Sequence, residues 1–399
     1  MCKFDKHFLM NTEDVKEYCK KVLKYFNEDE EIDAIEIGDG NINYVFKVFN
    51  KDKKSIIIKQ ADEFLRSSGR ALDVYRSKIE AEILKIEYSL SPNHIPKVYS
   101  YDENMHALAM EDISDYKNMR KELLEEKQFD NFSDEIADFL SNVLLPTTDL
   151  VMDRAEKKDN VKLFINKELC DITEDLVLTE PYYNYKNRNI ISKGQEDFVE
   201  KFLYNDESLK FEICKLRDRF MNYSQALIHG DLHTGSIFIN KNGIKIIDPE
   251  FAFYGPIGYD IGNVIGNLFF SLANKTYFSN NKDFVQWINK TIIDTFDKIN
   301  ISLRKKYDDI VTFSLYKNES FKEYYLSSIL SDSIGYAGTE IIRRTVGDSK
   351  VAEISSLELS DKKLMMERAL IKTAILFIKN RNTINEGKKL IDIFEFIKE

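Results

Sequence analysis

The chain has 399 residues, 43% hydrophobic and 31% charged, with only 15 Gly and 6 Pro, a composition that excludes long low-complexity segments and leaves room for two domains or two lobes. Its formal net charge of −11 excludes a nucleic-acid scaffold, which needs a basic face, but not a nucleotide, since a metal and a few Lys and Arg side chains supply positive charge locally. Cys2, Cys19, Cys170 and Cys214 form no close ligand pairs, the start of the chain lacks an apolar signal core, and no apolar run reaches the ~20 residues of a membrane span, so a cytoplasmic protein with reduced thiols is expected.

Residues 13–27 place Val15, Tyr18, Val22, Leu23 and Phe26 at helical spacing. Strands are expected at 32–37, 44–48 and 55–60, the first two joined by Gly38-Asp39-Gly40-Asn41 and the next two by a charged turn. From about Tyr75 a helix carries Ile79, Ile83, Leu84 and Ile86 until Pro92 and Pro96 stop it, and 97–101 and 107–110 read as further strands. After Glu111-Asp112-Ile113 the pattern turns helical, most clearly at 134–145 and 321–344, apart from one strand–turn–strand hairpin. The expectation is an α+β, bilobal, protein-kinase-like fold. Residues 1–112 would form a sheet-rich nucleotide-binding lobe, and 113–399 a large helical lobe with the catalytic and substrate site.

The chemistry concentrates at two acidic motifs 17 positions apart, His229-Gly230-Asp231 and Asp248-Pro249-Glu250, which flank that hairpin. An Asp beside Gly is most often an ordinary turn residue. Here, however, two of the chain's five histidines, His229 and His233, fall within a few positions of Asp231. That clustering suits a site in which Asp231 accepts the proton of a substrate hydroxyl. Asp248 and Glu250, at i and i+2 beyond an apolar strand, can both face a hard cation such as Mg²⁺. Asp260 reads as the cap of the next helix. Lys59 closes an Ile-Ile-Ile run and is placed to bind phosphate oxygens, with Glu80 or Glu82 as its partner. Those two acids cannot both face it, and Glu80 is preferred. The Gly38–Asn43 turn can present backbone amides to phosphates, and Arg343-Arg344, after Gly and Ala, suits guanidinium groups aimed at a phosphate.

Taken together, these segments resemble the methylthioribose kinases, within the aminoglycoside-phosphotransferase and choline-kinase superfamily. The resemblance is carried by Gly38-Asp39-Gly40-Asn41-Ile42-Asn43-Tyr44-Val45-Phe46, His229-Gly230-Asp231-Leu232-His233-Thr234-Gly235-Ser236-Ile237, Asp248-Pro249-Glu250-Phe251-Ala252-Phe253-Tyr254-Gly255-Pro256 and Glu340-Ile341-Ile342-Arg343-Arg344-Thr345, in order along the chain. It implies ATP- and Mg²⁺-dependent phosphorylation of 5-methylthioribose on its 1-hydroxyl, a step of methionine salvage, by a homodimer. By the same resemblance Asp231 takes the base position and Asp248 and Glu250 hold the metal. Gly40, Asn41, Asn43, Lys59, Glu80 and Pro249 belong to the nucleotide site, with the backbone of Glu111, Asp112 and Ile113 reading the adenine. Asp231, His233, Arg343 and Arg344 meet the sugar or the transferred phosphoryl group. Ser236 stands where most of the superfamily has a metal-binding Asn, as is usual for the methylthioribose branch. Arg70 stands about where the family has a Trp, and the chain's Trp287 lies elsewhere. A kinase of another 5-modified ribose, such as 5-deoxyribose, is the near alternative. A catalytically silent nucleotide-binding protein is the distant one, and it would lack at least one of Asp231, Lys59, Asp248 and Glu250.

Overall fold

Residues 3–37, 43–62 and 73–398 are described by the computed structural model. They fall into two units, Met1–Tyr116 with Lys245–Phe251, and Lys117–Ile244 with Ala252–Glu399. Residues 38–42, which include Gly40 and Asn41, and residues 63–72, which include Arg70, lie outside the described residues.

The first unit carries an antiparallel sheet in the order β1 (Ile32–Glu36), β2 (Tyr44–Asn50), β3 (Ser55–Gln60), β5 (Ala107–Met110) and β4 (Val98–Asp102). Helix α1 (Thr12–Lys21) starts with a capping box: Asn11 Oδ1 accepts from the amides of Glu13 and Asp14, and the Asp14 carboxylate accepts from Asn11 N at 3.1 Å. The helix ends earlier than its apolar spacing suggested, because the chain turns away through Lys24 at a left-handed φ of 51°. Phe26 nevertheless joins Val15 and Tyr18 in the core that covers Phe46, Val48, Ile56 and Ile58. Strand alternation then sends Ile57 and Lys59 to the opposite face, where Lys59 meets helix α2 (Tyr75–Leu90).

The second unit is mainly helical. Short strands β6 (Lys117–Asn118) and β7 (Ala226–Ile228), the hairpin β8 (Ile237–Asn240) and β9 (Gly243–Ile246), and β10 (Phe253–Gly255) frame the Asp231 turn, and the chain passes into the first unit within β9. The pairing of β7 with β10 was not anticipated from sequence: three residues per strand leave no periodicity to read. The second unit's helices include α3 (Met119–Leu124), α4 (Phe132–Leu144), α5 (Ile257–Phe278), α6 (Lys282–Ile310), α7 (Glu319–Val346) and α8 (Asp361–Asn380). Residues 257–274 of α5 are buried without interruption, as befits a central helix.

Gly258, Gly262 and Gly266 line one face of α5 at intervals of four. A Cβ on Gly262 would stand 2.6 Å from Ser333 O and 2.7 Å from Ala337 N of α7, and one on Gly258 2.7 Å from Ser333 N. The two helices therefore touch backbone to backbone. Since backbone cannot step aside as a flexible side chain does, Gly262→Ala is expected to cost about 1–3 kcal/mol of stability. Denaturant or thermal unfolding checks this; an unchanged midpoint would mean that the helices separate at no cost.

Candidate active site

Within the first unit, Lys59 Nζ lies 2.7 Å from Glu80 Oε1 and 2.5 Å from Asp248 Oδ1. Glu82 pairs instead with Lys85 at 2.8 Å. Burial by itself would lower the Lys59 pKa, but Asp248, Glu80 and Glu250 together hold it above the ordinary lysine value. Burial pushes Glu80 up despite Lys59, and it pushes Glu250 up despite Lys59 and Arg76. Asp248 takes a left-handed φ of 64°, so strand alternation, which ends at Ile246, does not relate it to Glu250. Asp248 keeps a side chain 46% exposed, whereas Glu250 turns inward to Arg76 Nε at 3.3 Å and is hydrogen-bonded by Asn43. Pro249 between them is buried. Of the residues expected to read the adenine, Glu111 N donates to Lys97 O, the Asp112 carboxylate accepts from Ser55 Oγ and pairs with Lys47, both at 2.7 Å, and Ile113 O accepts from Tyr116 N.

Within the second unit, the Asp231 turn is held from three sides. Gly230 adopts φ 83°, a conformation open to glycine. The buried carboxylate of Asp260, one turn into α5, accepts from His229 N at 2.7 Å and from Gly230 N at 2.9 Å. Asp260 is thus an anchor for this turn and not a helix cap, which a lone Asp near a helix start could not reveal. Burial pushes its pKa up to about 7, against the two amides that stabilise the ionised form. From α3, Arg120 N donates to Thr234 O, and from β6 Asn118 Nδ2 donates to Gly235 O at 2.7 Å.

His233 Nδ1 accepts from the amides of Gly235 and Ser236 at 3.0 and 3.1 Å, an approach that a Cβ on Gly235, 2.7 Å from the ring, would block. Its ring proton therefore sits on Nε2, which faces Asp231 Oδ2 at 3.4 Å. Ser236 Oγ donates to Asp231 O. Arg344 and Arg343, in the last turns of α7, approach Asp231 Oδ1 at 3.6 and 3.9 Å. Glu340 spans both, accepting from Arg344 Nε at 2.9 Å and from Arg343 at 3.4 Å. Burial alone would raise Asp231; His233, Arg344 and Arg343 outweigh it and hold the carboxyl well below the usual range.

The structure therefore gathers Asn43, Lys59, Glu80, Asp248 and Glu250 into one charged cluster, and Asp231, His233, Arg343 and Arg344 into another. It adds residues that sequence reasoning passed over. Glu340 had a signal, lying three and four positions before the arginines it binds. Asn267, which donates to Glu340 Oε1 at 3.1 Å and accepts from Arg120, had none, because its partners are remote in sequence. Arg76, at the start of α2, is 2% exposed.

The family described as "Phosphotransferase enzyme family" matches residues 180–278. The chain is 38% identical to the methylthioribose kinase of Geobacillus sp. (strain WCH70) over 375 residues, 93% of this chain and 92% of that protein. It is 34% identical to the methylthioribose kinase of Bacillus pumilus (strain SAFR-032) over 377 residues, 94% of this chain and 93% of that protein. Among solved structures, a choline kinase from Cryptosporidium parvum Iowa II is similar with a TM-score of 0.49 and 17% identity, covering 97% of this chain and 98% of that one.

Asp260→Ala leaves the buried amides of His229 and Gly230 without an acceptor. A loss of about 1–3 kcal/mol is expected for each, read from the denaturant midpoint. A wild-type midpoint would show that the turn stands without its anchor.

Proposed function

We infer the reaction from one premise: the chain belongs to the methylthioribose kinase family, with relatives 34–38% identical along more than nine-tenths of its length. It transfers the γ-phosphoryl group of ATP to the 1-hydroxyl of 5-methylthioribose, giving 5-methylthioribose 1-phosphate and ADP. The observation that carries the assignment of roles is the second unit's arrangement of one carboxylate, Asp231, under two guanidinium groups. Phosphoryl transfer asks a protein for positioning and charge more than for covalent chemistry.

Asp231 orients the sugar hydroxyl and receives its proton as the new O–P bond forms. Because its pKa is depressed, it is ionised at neutral pH but a weak base, which suits a proton moving late in the step. Arg343 and Arg344 stabilise the charge on the phosphoryl oxygens, and His233 Nε2–H supports the Asp231 carboxylate. Nucleotide binding is assigned to the first unit. Lys59 meets the phosphates, Glu80 steadies Lys59, and Gly40, Asn41, Asn43 and Pro249 complete the phosphate side, with the Glu111–Ile113 backbone reading the adenine.

Asp248 and Glu250 would hold Mg²⁺. Among the described residues no group of three or more His, Cys, Asp or Glu side chains could hold a metal. Two carboxylates nevertheless suffice for Mg²⁺, whose shell phosphate oxygens and water complete. When bound, the ion neutralises charge on the β- and γ-phosphate oxygens. The same family reading makes the working protein a cytoplasmic homodimer. Among the described residues no helix is long and apolar enough to cross a membrane.

Consumption of ATP with methylthioribose, 5-deoxyribose and ribose as acceptors tests the assignment. Preference for methylthioribose is expected; a faster reaction with 5-deoxyribose moves the substrate to another 5-modified pentose, and no turnover with any sinks the reading. Asp231→Asn should keep nucleotide binding and lose about 10²–10⁴-fold in kcat; retention of a few per cent or more removes its role as base. Arg344→Gln takes away one of the charges that depress Asp231, so the carboxylate needs a higher pH to ionise. The acid limb of kcat/KM should then move upward in pH, and an unmoved limb would detach Arg344 from Asp231.

A further inference from the structure

Arg76 is the least expected charge in the first unit. Its guanidinium, 2% exposed, meets, among the described residues, groups that come from several segments of the chain. Nε lies 3.3 Å from Glu250 Oε2; NH2 donates to Asn43 Oδ1 at 3.1 Å and to Asp62 O at 3.3 Å; NH1 donates to Asp73 O at 3.0 Å. The backbone carbonyls and Asn43 fix the planar fork, so Arg76 does not follow Glu250 if that carboxylate turns elsewhere. Glu250 is itself only 6% exposed and is ringed by Arg76, Asn43 and, through space, Lys59. Asp248 is in turn engaged by Lys59 at 2.5 Å. Both carboxylates assigned to the cation therefore already have a protein cation beside them.

That arrangement has a consequence for the order of binding. A divalent cation arriving alone would compete with Lys59 at Asp248 and, at the buried Glu250, would sit in the field of a fixed guanidinium that little water screens. A cation arriving with a polyphosphate brings the compensating negative charge with it. The phosphates also give Lys59 new acceptors when it leaves Asp248.

We propose that Arg76 serves as an internal counter-ion of Glu250, so that the first unit takes up a divalent cation only together with the nucleotide's phosphates. Arg76 is then a positioning residue that sets the order of binding without touching the reacting atoms. The proposal rests on the reading that Glu250 is a cation ligand.

Mn²⁺ titrations of the full chain, followed by electron paramagnetic resonance with and without a non-hydrolysable ATP analogue, test it without recourse to turnover. Wild-type protein should bind Mn²⁺ at least about tenfold more weakly without the nucleotide than with it. Arg76→Gln should raise nucleotide-free Mn²⁺ affinity about tenfold, the low end of the coupling between close buried charges. Arg76→Lys, which keeps the charge but loses the fork, should give a smaller rise. Circular dichroism establishes which variants are folded. Tight Mn²⁺ binding by wild-type protein without nucleotide overturns the proposal while leaving Glu250 as a ligand, and so does the lack of any rise in a folded Arg76 variant. No Mn²⁺ binding even with the nucleotide overturns the metal site itself, and this proposal with it.

Discussion

The contact on which the second unit depends is the backbone-to-backbone seam between the Ile257–Phe278 and Glu319–Val346 helices. It exists because Gly258, Gly262 and Gly266 present no side chain along one face. The first of these helices carries Asp260, which ties down the turn before Asp231; the second carries Glu340, Arg343 and Arg344. A separation wider by one methyl layer would carry the arginines away from the carboxylate they depress. Coulomb interactions among partly buried groups at 3–4 Å change steeply with distance, so the packing of small residues sets the electrostatics. A stripe of glycines in a buried helix, otherwise a liability for helix stability, is explained here by the proximity it permits.

Charge in this protein is arranged by opposition. Asp231 has two guanidinium groups and an imidazole N–H near it, and it would be over-neutralised if Glu340 did not share the arginines. Asn267 joins Glu340 to Arg120, so the arrangement continues into the support of the Thr234 turn. In the first unit three carboxylates, Glu80, Asp248 and Glu250, stand against Lys59 and Arg76. Buried charges of this kind add little net stability, because desolvation offsets their attraction.

Much of this was legible in the residues themselves. The apolar run Ile56-Ile57-Ile58 closed by Lys59 read as a strand, and Ser55–Gln60 is one. The helices expected at 134–145 and 321–344 are present as Phe132–Leu144 and Glu319–Val346. Where the reading failed, it failed for physical reasons. The first helix stops at Lys21 because backbone at Lys24 goes left-handed, which apolar spacing does not report. Asp260 looked like a helix cap because caps are local, whereas its partners His229 and Gly230 lie about thirty positions away.

Sequence alone determined the class of fold and the family, because both rest on periodicity or on residues close together in the chain. The tertiary structure alone decided which charges oppose which: that Lys59 takes Glu80 and not Glu82, that Asp260 anchors the Asp231 turn, that Glu340 shares two arginines, and that Arg76 stands against Glu250. The reason is that periodicity specifies the face on which a side chain lies. Its partner, its burial and therefore its pKa depend on segments that only folding brings near.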